Sequence, residues 1–466
     1  MVNKLSVDGE YQEEIRDIED IIERIEEFLE EHRVDDVRRI IDEIEPQDLL
    51  DILARLDTEK RRKLLSLIPS SYFVQILSRL PDDVLYELIL LKGASKLARI
   101  LSDMHPDEIA DVLMRLPSKI RNQILSLLPP WKITEVSELM KYPQESAGGV
   151  MTTRVPIFHK DETVGTVLEK YSIKYQLGLY DKLNYVYVVD DEGKLVGWVD
   201  IRTLMTKPRD KKIGEIAQEP PATVNVLTDR EEAARLVVKY DLTEIPVVDD
   251  EGRLVGVITV DDIIDVIVAE STEDLLKFGG LLEAVKGSYL TARAIELARR
   301  RATWLIVLYM LESITVSVIS RFESVLASVI ALSFFIPLLT DTGGNTGSQS
   351  ATLVIRSLAT GEARISDFFR IIVKELSASS ILAMIMAPIG FGIAYAISLN
   401  LMVALTVALA LSVIIVVASM LGVLLPFIAV MFKLDPALIS APLITTVADI
   451  TGITLYFTIA IYLMGL

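Results

Sequence analysis

The sequence predicts a multidomain chain in three parts: an α-helical superhelical repeat domain, an α/β tandem repeat, and an all-α transmembrane domain of five helices. Three observations carry that reading. The chain has 466 residues, more than one hydrophobic core usually holds. Its charge is uneven: Lys277 to Leu466 holds 10 acids and 12 bases, and the rest of the chain holds 56 acids and 35 bases. Apolar runs long enough to cross about 30 Å of hydrocarbon are confined to the near-neutral part. An acidic head on an apolar half fits a cytosolic domain joined to membrane spans, and it excludes nucleic acid as a partner, because no basic patch with interleaved aromatics is present. The absence of cysteine excludes disulfides, zinc–thiolate sites and thiol catalysis. The stretch MVNKLSVDGE lacks an apolar signal core, so the head is expected to stay in the cytoplasm.

Residues 1–140 read as helical repeats. EPQDLLDILARLDTEKRRKLLSLIP, LPDDVLYELILLKGASKLARILSDM and HPDEIADVLMRLPSKIRNQILSLLPP share a proline, an acidic pair and an apolar helix, followed by a second helix. Such a unit cannot bury its apolar face alone, so the units stack, and stacked repeats commonly present binding surfaces.

Residues 141–270 hold a different repeat. YVVDDEGKLVGWVDIRTLM at 187–205 and PVVDDEGRLVGVITVDDII at 246–264 match almost residue for residue at an offset of 59. Each copy reads strand, Asp-Asp-Glu-Gly turn, strand, helix. The pair resembles tandem CBS domains, regulatory modules that dimerise and often bind ATP or another adenine nucleotide. That resemblance places Thr259 and Asp262 of the second copy at ribose or phosphate, whereas the first copy has Asp200 at the hydroxyl position.

The acids cluster. Asp107 and Asp111 are spaced i,i+4 and share a helix face, Asp261, Asp262 and Asp265 share a turn, and Glu270, Glu273 and Asp274 follow at once. An isolated cluster of this kind is usually a solvated face. These flank the joints between domains, where like charges repel unless a divalent ion lies between them. No calcium-loop motif is present, so any such site has to be assembled between domains. Residues 271–300 then connect head to membrane, and from Leu281 the connection has helical periodicity, ending on Arg299, Arg300 and Arg301 at the membrane edge. It is either a passive linker or a lever reporting the state of the head.

In the transmembrane part, 301–466, four spans are expected near 302–320, 377–398, 402–431 and 441–465. The fifth is short of apolar sequence: the run Val325 to Leu339 must continue into TDTGGNTGSQS to reach the other side. That polar stretch is either a cytoplasmic turn ending one helix or a lining beside an ion path, with Asn345, Thr346 and Gln349 offering neutral oxygens. Asp449, the one charge in the last span, favours the lining, because a lone intramembrane carboxylate is costly and no span supplies an Arg or Lys to neutralise it. Glu312 lies nearer a span end and is weaker evidence. Carboxylate, amide and hydroxyl oxygens without Cys or His in any span suit a hard cation, and few carboxylates suit magnesium, which keeps its waters. One Asp449 per chain is too little, and two around a dimer axis would form a ring. The bases fall before the first span, between the second and third, and between the fourth and fifth, which places the head inside and Leu466 outside. Histidines 32, 105 and 159 are scattered through the head and no nucleophile motif is present, so no enzyme is expected.

With its parts in this order, and with GGNTGSQSATL and PLITTVADITG in the membrane half, the whole chain is similar to the MgtE family of magnesium channels. The resemblance implies a homodimer in the lipid bilayer of the cell's plasma or inner membrane, its pore lined by the second and fifth spans, with Asp449 holding hydrated Mg2+. It also implies Mg2+ sensing by Asp107 and Asp111 facing Asp262 and Asp265, and by a second group of Asp229, Asp241, Glu273, Asp274 and Asp435. Scarce cytosolic Mg2+ would then leave the acidic faces to repel and open the pore, and abundant Mg2+ would bridge them and close it. One departure is Ala441, where family members can carry Asn before the proline, and it removes one polar oxygen that bears on selectivity against other divalent ions. The alternative is a secondary transporter exchanging Mg2+ for Na+ or H+, with Asp449 binding the coupling ion.

Overall fold

The computed structural model describes residues 7–281 and 294–466. They fall into two compact units, one reaching to Glu270 and the other holding Ser271 to Leu281 and Ala294 onward.

The first unit begins with helices α1 (Val7–Glu30), α2 (Val34–Glu43), α3 (Asp48–Arg55), α4 (Thr58–Leu67), α5 (Ser70–Ile76), α6 (Asp82–Ser102), α7 (Pro106–Met114), α8 (Ser118–Leu125), α9 (Pro130–Leu139) and α10 (Ala147–Val150). The three sequence repeats are the pairs α3–α4, the two arms of α6, and α7–α8. The middle pair is drawn out as one helix, but its backbone leaves helical geometry at Gly93, at φ 74° and ψ 160°, where the turn of the other repeats would fall. Each first helix opens on an acidic pair and presents leucine and isoleucine at helical spacing. Leu49, Ile52, Leu53, Leu85, Leu88, Ile109, Val112 and Leu113 are all buried, so the units share one core as stacking requires. Asp57 caps α4 by accepting from the amides of Glu59 and Lys60 at 2.8 and 2.9 Å.

The repeat that follows builds two small sheets. Strands β1 (Ile157–His159), β2 (Tyr185–Val189) and β3 (Leu195–Asp200) form the first, with α11 (Val164–Gln176) and α12 (Ile201–Thr206) beside it; β4 (Val224–Asn225), β5 (Glu244–Val248) and β6 (Leu254–Thr259), with α13 (Arg230–Tyr240), form the second. In both sheets the first pair is parallel and the second antiparallel, with Tyr185 opposite Asp200 in one and Glu244 opposite Thr259 in the other. The Asp-Asp-Glu-Gly stretches make identical turns. Asp190 accepts from the amides of Glu192 and Lys194, Asp249 from those of Glu251 and Arg253, each at 2.8–3.0 Å. These two aspartates are therefore turn formers.

Helix α14 (Val260–Phe278) runs on past residue 270 without a break, so the expected boundary between the tandem repeat and the connection lies inside one helix. The helical periodicity expected from Leu281 falls outside the described residues until α15 (Ala294–Arg321). The second unit continues with α16 (Glu323–Ser328), a 3-10 segment at Ile330–Phe335, α17 (Ile336–Ala359), α18 (Phe368–Ser398), α19 (Leu401–Met431) and α20 (Ala441–Met464). Among the described residues four helices are long and apolar enough to cross a membrane: α15, α18 with the turn before it, α19 and α20. The fifth expected span differs from its sequence reading. Its first part, Ile330–Phe335, is 3-10 helix, and the α-helix starts only at Ile336 with Pro337 in its first turn. The polar stretch is then neither a turn nor irregular backbone but the middle of a 24-residue helix. Its hydroxyls make this affordable by bonding back along the helix, Thr342 to the Leu338 carbonyl at 2.7 Å and Thr346 to the Thr342 carbonyl at 2.6 Å.

Small residues let α17 approach α19 at backbone distance. A Cβ on Gly422 would lie 2.2 Å from the Gly347 carbonyl oxygen, and one on Gly347 would lie 3.0 Å from that of Ala418. Replacing Gly422 with alanine is expected to force the two helices apart at a cost of about 1–3 kcal/mol or more. The check is the melting temperature of the detergent-purified chain, which should fall by several degrees in Gly422→Ala and hold in Gly392→Ala, where the Cβ would meet nothing.

Candidate functional site

The glycines that bring α17 onto its neighbours also set its level against α20. A Cβ on Gly344 would lie 2.9 Å from Thr445, and one on Gly347 would lie 3.0 Å from Ile444, so the two helices run in opposite directions. One turn earlier on α17 stands Asp341, one turn later on α20 stands Asp449, and their carboxylates interact electrostatically. Glu312 of α15, a helix that packs on α20, adds a third carboxylate to the same neighbourhood. The Asn345 amide donates to Asp341 at 3.1 Å. Asn345 and Gln349 are exposed on the face of α17 that carries Asp341, whereas Thr346 is buried, so the structure separates Thr346 from the other two. Glu312 thus gains weight, and Asp341 enters as a residue that sequence reading passed over. Its signal was present: it is the second residue of the polar stretch, four residues before Asn345 on one helix face.

The start of α20 is tightly held. Ser440 caps it and accepts a hydrogen bond from the Trp304 indole N–H of α15 at 3.1 Å. Ala441 is the first residue of α20. Pro442 and Trp304 enclose Gly280, whose φ of +80° suits glycine and whose added Cβ would meet Trp304 at 2.9 Å. Phe278 packs on the cluster of Ala351, Ile355, Ala437 and Ile444. Between them Lys277 donates to Asp435 at 2.6 Å and to Glu273 at 2.7 Å. Asp435 also starts the turn before α20, accepting from the amide of Ala437 at 2.8 Å.

The first unit has its own acidic site. Asp107 and Asp111 of α7 face Asp262 of α14, and Asp111, Asp262 and Asp265 line a cavity of about 330 Å³ together with Arg115, Glu145 and Arg230. Burial, then the charge of Asp181, raises Asp107, one of whose oxygens is buried without a partner. Asp111 sits at the solvent-exposed mouth, yet burial of its carboxyl, followed by the charges of Asp107 and Asp262, pushes it up to about 7. Asp262 is pushed up to about 6 by burial, against the hydrogen bond it accepts from Thr259 at 2.7 Å. Asp265 stands at the rim, 3.8 Å from Arg79. Among the described residues no three His, Asp or Glu side chains converge closely enough to hold a metal by themselves. Asp107, Asp111 and Asp262 nonetheless fit a hydrated divalent ion: they are hard oxygen donors, mutually repelling, with an orphaned oxygen.

Carboxyls raised above their ordinary value of 3.8 give a definite sign to pH dependence. The folded head binds more protons than the unfolded chain, so the contribution is fully present below about pH 4 and is lost as pH rises through about 6 to 7. In chelator, the melting temperature of the head is expected to fall between about pH 5 and pH 8, and millimolar Mg2+ is expected to restore it at the upper end. A flat profile would show that burial and neighbouring charge do not raise these carboxyls.

The remaining expected residues have structural partners. Asp229 caps α13 by accepting from the Glu231 amide at 2.8 Å, and Asp241 ends that helix in the left-handed region at φ 53°. They belong to the first unit, and Glu273, Asp274 and Asp435 belong to the second. Asp200 caps α12 and pairs with Arg202 at 2.7 Å.

Long apolar helices that bring carboxylates together, joined to a helical-repeat domain and a tandem α/β module, define a class of membrane cation transport proteins. Residues 336–459 match the MgtE family described as divalent cation transporters, residues 44–145 match the MgtE intracellular N domain, and residues 147–210 and 213–269 match CBS domains. The chain is 36% identical over 439 residues to the magnesium transporter MgtE of Thermus thermophilus, covering 94% of this chain and 97% of that one. It is 32% identical over 444 residues to the magnesium transporter MgtE of Bacillus subtilis, covering 95% and 97%. A crystal structure of the cytosolic domain of the Mg2+ channel MgtE in complex with ATP is 34% identical and covers 52% of this chain and 98% of that one, at a TM-score of 0.47. The chain belongs to the MgtE family. These relatives are magnesium transporters and not enzymes, and four apolar helices agree with a multi-pass membrane location.

Proposed function

We propose that this protein is a magnesium-selective channel for Mg2+ uptake, closed by cytosolic Mg2+ binding in its acidic cytoplasmic domains. The observation that carries the proposal is a layer of carboxylates in the membrane half, Asp449 with the charges of Glu312 and Asp341 acting on it. A hydrated divalent cation supplies the counter-charge that this layer lacks, and neutral oxygens of Asn345 and Gln349 continue it along α17. The working form is a homodimer in the plasma membrane, with the head inside and Leu466 outside, so that two Asp449 carboxylates share one path.

Closure starts in the cleft. Asp107, Asp111, Asp262 and Asp265 repel when cytosolic Mg2+ is scarce; bound Mg2+ cancels the repulsion, with Asp229 and Asp241 of the first unit and Glu273, Asp274 and Asp435 of the second as further regulatory carboxylates. The ion shifts the equilibrium only by its differential affinity for the closed form. Thr259 and Asp262 would contact an adenine nucleotide, which ties nucleotide and Mg2+ to one aspartate. The test is current through excised patches with Mg2+ raised on the head side. The proposal expects progressive closure, and current independent of head-side Mg2+ would remove the regulatory part.

A further inference from the structure

The carboxylates of Glu273 and Asp435 already share a cation. The Lys277 ammonium lies 2.7 Å from the first and 2.6 Å from the second, on the last turns of α14. Burial alone would pull this lysine down, but its hydrogen bonds to Asp435 and Glu273 outweigh that and hold it above its ordinary value. Its ammonium occupies the space between the two carboxylates, so another cation enters only as this side chain swings away. Its neighbours fix the segment in place: Phe278 in the cluster around Ala437 and Ile444, and Gly280 against Trp304 and Pro442. Trp304 in turn bonds Ser440, the cap of α20, two turns before Asp449.

We infer that Lys277 is a built-in competitor at the Glu273–Asp435 pair, a tethered monovalent cation that a divalent ion must displace, and so a residue that sets the Mg2+ threshold of closure. The balance of charge supports it. Two carboxylates with the ammonium carry a net −1. A divalent ion added without release of Lys277 would place three positive charges against two negative ones in a half-buried site, which costs more than the extra attraction returns. Divalent binding at this pair is then an exchange of one cation for another, weakened by the strength of the lysine's own contacts. The docked arrangement of the segment also keeps a holding contact when no divalent ion is present, so closure is graded by Mg2+ and does not start from nothing.

The threshold role rests on the proposed closure, but the competition itself does not, and the test separates them. Mn2+ alone is titrated onto the purified full-length chain and free Mn2+ is read by electron paramagnetic resonance, for wild type, Lys277→Gln and Lys277→Arg, each in a background with Asp111→Asn and Asp262→Asn to silence the cleft. Lys277→Gln is expected to tighten Mn2+ binding by about three- to tenfold, and Lys277→Arg to restore the wild-type value. Unchanged or weaker binding in Lys277→Gln, with the melting temperature of wild type, would overturn the inference. Half-closing Mg2+ for Lys277→Gln and Lys277→Arg in the otherwise wild-type chain is then compared with wild type, and Lys277→Gln is expected to fall by a similar factor. If Mn2+ binding tightens while flux ignores Mg2+ in every variant, the competition stands and the closure reading fails.

Discussion

Liposomes carrying Asp449→Asn are expected to take up Mg2+ at about a tenth to a hundredth of the wild-type rate. The substitution keeps the shape of the side chain and removes its charge. A divalent ion keeping one water layer stands about 5 Å from the carboxylate, where the attraction is worth about 2–3 kcal/mol even at a high effective dielectric. No lysine or arginine of α17 or α20 reaches this level, the nearest base in α17 being Arg356, fifteen residues beyond Asp341. Asp341 and Glu312 remain in the variant, so the loss is expected to be large but not total. Wild-type flux in a folded Asp449→Asn protein would place the path elsewhere.

The second large effect is expected in the head. In Asp262→Asn the amide keeps the hydrogen bond that Thr259 makes at 2.7 Å, while the carboxylate that faces Asp107 and Asp111 is gone. Less repulsion remains for an ion to cancel and one hard ligand is missing, so Mg2+ loses its differential hold on the closed form. The half-closing Mg2+ concentration is expected to rise by about tenfold or more, and the channel to stay open at Mg2+ levels that close the wild type. Asp111→Asn should act in the same direction, and the double variant should add little, because the two residues face one another. Wild-type closure in both single variants would remove this cleft from the mechanism.

How much of this was legible in the sequence depended on whether the signal was local. The strand–turn–strand–helix core of the tandem repeat was readable from an offset of 59 residues, whereas the parallel strands β1 and β4 and the capping of the turns by Asp190 and Asp249 come from the structure. The helical repeats were readable too, even where Gly93 replaces a loop with a kink. The polar stretch was harder. Composition marks it as unlike a span, and only packing shows it as continuous helix, since its hydroxyls satisfy their own backbone and its glycines meet Ala418, Gly422 and Thr445 far along the chain. Asp341 was passed over for the same reason, because its level against Asp449 is set by that packing. Thr346, a polar residue of the same stretch, sits on the buried face of α17. Lys277 was invisible as a competitor, because nothing in the spacing of Glu273 and Lys277 brings Asp435, 158 residues away from Lys277, to the same ammonium.

The central claim is a passive Mg2+ path through the membrane half. Its most direct measurement is Mg2+ entry into liposomes holding the purified wild-type protein, with a Mg2+ gradient and no other ion gradient. The account predicts entry that runs down the gradient and stops when it is spent. Silence until Na+ or H+ is supplied, followed by uphill Mg2+ movement, would contradict it and make the protein an exchanger.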